Sequence, residues 1–116
     1  TGDGCGGRWM SVSTHVLDAT SGRPAAGLRV ALAGQDGAVW TELASAQTDG
    51  DGRIGRFGGG DLAAGVYRLT FETEEYLGVP TFYPVVVIVF RISDAAAHHH
   101  VPLLLSPYAY STYRGS

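Results

Sequence analysis

The sequence predicts an all-β fold, an antiparallel β-sandwich of seven or eight short strands with one short helix. Three observations carry this expectation. Short runs with a period of two recur along the chain, the cleanest being GVYRLTFE at residues 65–72. Clusters of Gly, Pro, Asp, Ser and Thr punctuate those runs at regular spacing. A single segment, TEEYLGVP, carries helix start and stop signals. A closed barrel is the alternative architecture.

SVSTHVLD (Ser11–Asp18) opens the series, with Ser13, His15 and Leu17 on one face and Val12, Thr14 and Val16 on the other. DATSGRPAAG follows as a turn. Leu28, Val30 and Leu32 then mark a second strand with Arg29 and Ala31 on its other face, and residues 35–37 make a tight connection. Residues 40–48 read as a third strand, after which Asp49, Gly50, Asp51 and Gly52 form a turn that delivers Arg53 and Ile54 to a short strand. Residues 55–65 hold five glycines and read as a long loop of poor internal order.

In GVYRLTFE, Tyr67, Leu69 and Phe71 share one face, and Arg68, Thr70 and Glu72 the other. Thr73 stands where a capping residue is expected, Glu74 and Glu75 suit a helix N-terminus, and Gly78 with Pro80 ends the helix. Pro84 then opens VVVIVFRI, a β-branched run that reads as a buried strand. Residues 93–97 make a turn, His98 begins the last long strand, and Pro107 marks a kink or edge position before residues 108–113 resume.

Composition limits the function classes. The 116 residues fit one domain, expected over residues 10–116, and 45% hydrophobic with 16% charged residues describes a globular chain. Residues 1–9, with four glycines ahead of Met10, read as a flexible leader or cloning remnant. A net charge of -3 gives no general electrostatic reason to bind nucleic acid or an anionic membrane. All eight basic residues are arginine, which excludes lysine Schiff-base chemistry. Cys5 stands alone, so an intrachain disulfide or a cysteine-based zinc site is excluded. The longest apolar run, residues 85–90, is too short to span a bilayer, and TGDGCGGRWM lacks the apolar centre of a signal peptide. A cytoplasmic location is expected.

The chemistry concentrates in two places. Of the four histidines, His98, His99 and His100 are consecutive, and on a strand His98 and His100 share a face while His99 points away. His15 interrupts an otherwise apolar strand pattern, where a polar group needs a partner. The chain closes on Tyr113, Arg114, Gly115 and Ser116, a compact polar group expected to be docked rather than frayed.

HVLDATSGRPAAGLRV at residues 15–30 and HVPLLLSPYAYSTYRGS at residues 100–116 resemble the two signature regions of the transthyretin family, and TDGDGRI at residues 48–54 resembles its third. The closing YRGS is similar to the 5-hydroxyisourate hydrolase branch of that family rather than to its thyroid-hormone carriers. The resemblance implies a transthyretin-like sandwich assembled as a homotetramer of two dimers, with sites between dimers that open the 5-hydroxyisourate ring in urate breakdown. It implies His15, Arg53, His100 and Ser116 as catalytic, with Tyr113, Arg114, Gly115 and His98 holding substrate, and neither metal nor cofactor. His99 stands where the family usually has tyrosine, Ala109 where it usually has glycine, and the loop at residues 55–62 is richer in glycine than usual.

These residue types suit such a reaction by themselves. Imidazole can deprotonate water and protonate a leaving nitrogen near pH 7. The guanidinium of Arg53 can hold an anionic substrate or a developing oxyanion. His15 and His100 both remain candidates for the base. The Ser116 carboxylate is available to orient a histidine or to pair with Arg114. Three rival readings stand: a small-molecule carrier, a zinc enzyme using His15, His98 and His100, and an interaction module.

Overall fold

In a computed structural model of the chain, the structure describes residues 11–57, 62–93 and 98–115. The expected leader at residues 1–9, Met10 and Ser116 lie outside the described residues. Seven longer strands and two of only two residues make a sandwich: β1 Ser11–Asp18, β2 Arg23–Pro24, β3 Arg29–Asp36, β4 Val39–Gln47, β5 Arg53–Ile54, β6 Gly65–Phe71, β7 Val86–Ile92, β8 His98–Ser106 and β9 Ala109–Thr112. One helix, α1 Thr73–Leu77, lies between β6 and β7. One sheet runs β9-β8-β1-β2 with β5 also paired to β1, and the other runs β4-β3-β6-β7.

The fold class is the one expected. One departure from an all-antiparallel ladder matters for the site: β1 and β8 pair in parallel, with Ser13 opposite His100 and His15 opposite Pro102. Distant segments of the chain thereby become neighbours, which local periodicity does not reveal.

Alternation decides what each strand buries. Val12 and Val16 of β1, Leu103 and Leu105 of β8, Val30 and Leu32 of β3, and Leu69 and Phe71 of β6 meet between the sheets as one core. Asp18, also buried, closes the turn after β1, because its carboxylate accepts the N–H groups of Thr20 and Ser21. The Tyr76 hydroxyl of α1 donates to the same carboxylate at 3.2 Å, which ties the helix to that turn.

Three local expectations need correction. Thr73 is the first residue of α1 rather than its cap, and its hydroxyl donates to the Tyr83 carbonyl at 2.7 Å, so it anchors the segment after the helix. The β-branched run of β7 is buried on one face only: Val86 and Ile92 lie in the core, while Val87 and Val89, of opposite parity, are 47% and 57% exposed on the outer face of the sheet. Within the glycine-rich loop Phe57 is a core residue, and its N–H donates to the Val12 carbonyl at 3.0 Å. One aromatic in a loop gives no periodic signal, so its burial was hidden.

Candidate active site

The site is built on the outer face of the β9-β8-β1-β2 sheet. Strand alternation sends Val12, Thr14 and Val16 inward and leaves Ser13, His15 and Leu17 outward. On β8 the same rule turns His99 inward, where it is only 4% exposed, and leaves His98 and His100 facing out beside Ser13. The Ser13 hydroxyl lies 2.8 Å from His98 Nε2 and 2.7 Å from His100 Nδ1, bridging the two rings. Thr14 fastens the strands beneath them by donating its hydroxyl to the Val101 carbonyl at 2.6 Å.

Arg53 arrives from the opposite side of β1. The Asp49 carboxylate accepts the N–H groups of Asp51 and Arg53 at 2.9 and 3.0 Å, which fixes the DGDG turn. Those two bonds, aided by the charges of Arg53 and His15, hold the Asp49 carboxyl below its ordinary pKa. Gly52 closes the turn with φ of 75°, and a Cβ there would lie 2.5 Å from the Val16 carbonyl oxygen. Glycine is what lets this turn press against β1 and seat Arg53 opposite His15 in the ladder.

Ser13, Thr14, Arg53, Ile54, Gly55, His98 and His100 together line a cleft of about 350 Å³. Burial first, then the neighbouring His98, His15 and Arg53, push the His100 pKa below the ordinary histidine value. At neutral pH His100 is therefore an unprotonated imidazole, the form a general base needs.

The residues expected at the site are divided by this geometry. His98, His100 and Arg53 come together around one cleft. His15 borders it, in register with Arg53 and close enough to act on His100 through its charge. Tyr113 and Arg114 instead line a second cavity of about 330 Å³ with Ile88, Phe90, Arg91, His99 and His100, so that His100 alone of the expected site residues borders both cavities. The reason is the path of the chain after β9. The Thr112 hydroxyl donates to the Pro102 carbonyl and the Gly115 N–H to the His100 carbonyl at 2.8 Å, so residues 113 and 114 arch over the strand edge.

Gly115 packs directly on the His100 imidazole, and a Cβ on it would collide with ring atom Cδ2. Ser116 lies outside the described residues. Among the described residues no three His, Cys, Asp or Glu side chains are gathered in a metal-holding group, so the trio His15, His98 and His100 is not assembled as one. Sequence reasoning missed Ser13 and Thr14. Their signal was present in the parity of β1, which puts Ser13 on the face of His15, but its partners became visible only with the parallel pairing to β8.

Residues 12–115 match the sequence profile described as the HIUase/Transthyretin family. The chain belongs to that family. Within it, the chain is 47% identical over 112 residues to a 5-hydroxyisourate hydrolase of Caulobacter vibrioides, covering 90% of this chain and 97% of that one. The solved 5-hydroxyisourate hydrolase of Klebsiella pneumoniae superposes with a TM-score of 0.81 at 38% identity, covering 91% of this chain and 99% of its own. Transthyretin from Sparus aurata superposes with a TM-score of 0.83 at 31% identity, covering 90% and 95%. Backbone similarity does not separate enzyme from carrier in this family, so the function has to be argued from the site.

Proposed function

We propose that the chain hydrolyses 5-hydroxyisourate to 2-oxo-4-hydroxy-4-carboxy-5-ureidoimidazoline, a step of urate breakdown. The observation that carries this reading is the gathering of His98, His100 and Arg53 around one cleft large enough for a purine-sized ring. The names and identities of the Caulobacter and Klebsiella relatives support it.

In this mechanism His100 removes a proton from water, and the resulting hydroxide attacks the acyl carbon of the ring. The Arg53 guanidinium holds the anionic substrate and the oxyanion that forms on the acyl oxygen. The carbon–nitrogen bond then breaks, and the leaving nitrogen takes a proton from the imidazolium created in the first step. His15 holds substrate and sustains the low basicity of His100. From the closing segment, Gly115 and Ser116 complete the site beside the His100 ring, and Tyr113 and Arg114 border it from the adjoining cavity, which His100 also lines.

The assembly we assign is a homotetramer, a dimer of dimers, each copy a single domain over residues 10–116. The exposed apolar edge of β7, with Val87 and Val89, and the exposed Tyr108, Tyr110 and Tyr113 around β9 support pairing through the sheet edges. The outer face of the β1–β8 sheet is then left to form the cleft between dimers. No helix among the described residues is long and apolar enough to cross a membrane. We place the protein in the cytoplasm.

The reading is tested by the absorbance of 5-hydroxyisourate after addition of the purified chain. Loss of signal at a turnover number of roughly 1–1,000 per second is expected. Decay no faster than in buffer would refute hydrolysis and return the carrier reading.

A further inference from the structure

Ser13 belongs neither to the sequence expectation nor to the mechanism above, yet its hydroxyl touches both cleft histidines. It is only 6% exposed, its strand is locked to β8 by the parallel ladder, and its Oγ stands 2.8 Å from His98 Nε2 and 2.7 Å from His100 Nδ1. A hydroxyl has one proton to give and two lone pairs to receive. It can satisfy both rings only when at least one of the two facing nitrogens carries a proton. If both are bare, one contact becomes lone pair against lone pair at under 3 Å, a repulsion that protonation of either nitrogen removes.

We propose that Ser13 is a positioning residue that couples the tautomers of His98 and His100 and holds His100 with its proton on Nδ1. In that arrangement His100 Nδ1–H donates to Ser13 Oγ, and Ser13 Oγ–H donates to His98 Nε2. His100 Nε2 is then bare, and it is the nitrogen that receives the proton of water. In hydrolase triads a carboxylate fixes the base's tautomer in this way; here a serine backed by a second imidazole takes that place.

Two further observations fit. The Gly115 backbone packs against the same ring and bonds the His100 carbonyl, so the imidazole is confined on the side away from Ser13 as well. The groups acting electrostatically on His100 are His98 on its own strand, His15 on β1 and Arg53 on β5, and each opposes a positive charge on the ring. Asp49 acts on His15 and Arg53, one step removed. Ser13 thus acts on the tautomer, His15 and Arg53 on the charge, and His98 on both.

The proposal rests on the hydrolase reading for its kinetics, so its test has a substrate-free arm. In the intact protein, imidazole nitrogen-15 chemical shifts above the titration range of His100 are expected to show Nδ1 protonated and Nε2 bare. Ser13→Ala is expected to shift His100 toward the other tautomer. It is also expected to lower kcat about 10- to 100-fold with KM within about twofold, and to displace the acid limb of the kcat profile. Ser13→Thr keeps the hydroxyl on a strand that accepts β-branching and is expected to restore both readouts.

A parent protein with His100 in the Nε2–H tautomer would overturn the proposal. So would a folded Ser13→Ala protein with parental kcat and shifts, or a Ser13→Thr protein as impaired as the alanine variant. An inactive parent whose His100 tautomer still depends on Ser13 would sink the hydrolase reading and leave the positioning role standing.

Discussion

His100→Ala is expected to lower kcat on 5-hydroxyisourate at least about 100-fold, the loss associated with removal of a general base, while the assembly stays intact. The structural reasons for a selective effect are on the outer face of the sheet. His100 is half-buried in the cleft rather than in the core, so its loss leaves Leu103, Leu105 and their partners in place. The backbone bond from Gly115 N–H to the carbonyl of residue 100 does not need the imidazole. Thermal stability should therefore move little, and activity a great deal.

The pH dependence follows from the same residue. Burial, His98, His15 and Arg53 hold the His100 pKa below the ordinary value near 6.5. A base works unprotonated, so activity is expected to persist on descending from pH 7 and to fall off only through the lowered pKa. Arg53→Ala removes one of the positive neighbours and is expected to shift that limb upward. Near-parental kcat in His100→Ala, measured on folded protein, would remove His100 from the base role.

Arg53→Ala is the second large effect. Arg53 is the cation that the DGDG turn seats in the cleft, and in the proposed mechanism its fork of donors serves both the anionic substrate and the developing oxyanion. A loss of at least about 100-fold in kcat/KM is expected, since removal of one oxyanion donor alone costs about that much. Both kcat and KM should suffer, because the guanidinium acts in the ground state and in the transition state. Arg53→Lys is expected to recover little: an ammonium supplies charge but not the planar pair of donors. Full recovery by lysine would show that only charge matters.

The strands with clean alternation were legible in the sequence. Leu28, Val30 and Leu32, and Tyr67, Leu69 and Phe71, fall inward as their parity demands. The split of the histidine run was equally legible, because His99 and its two neighbours on a strand must face opposite sides. The bare outer face of β7 was not legible: its composition is that of a strand covered on both faces, yet Val87 and Val89 point out of the sandwich and are exposed. Phe57 and Thr73 escaped for a related reason, since each is fixed by one long-range contact, to Val12 and to Tyr83 respectively.

The site itself was half legible. His98, His100 and Arg53 were found by residue type, parity and resemblance, and the structure gathers them. Ser13 was invisible as a partner because it lies 85 and 87 residues from the rings it bridges, joined to them by a parallel pairing. Tyr113 and Arg114 were assigned to the same group as Arg53, and in this chain they line the adjoining cavity, which shares His100 with the cleft. Parity cannot say over which edge a segment arches once its strand has ended.

Two cavities therefore compete for the substrate, and one measurement separates them directly: a crystal structure of the chain with a purine-like ligand. The account predicts the ligand against Ser13, Arg53, His98 and His100 on the outer face of the sheet. A ligand seated instead between the sheets, against Phe90, His99, Tyr113 and Arg114, with the outer cleft empty, would contradict it.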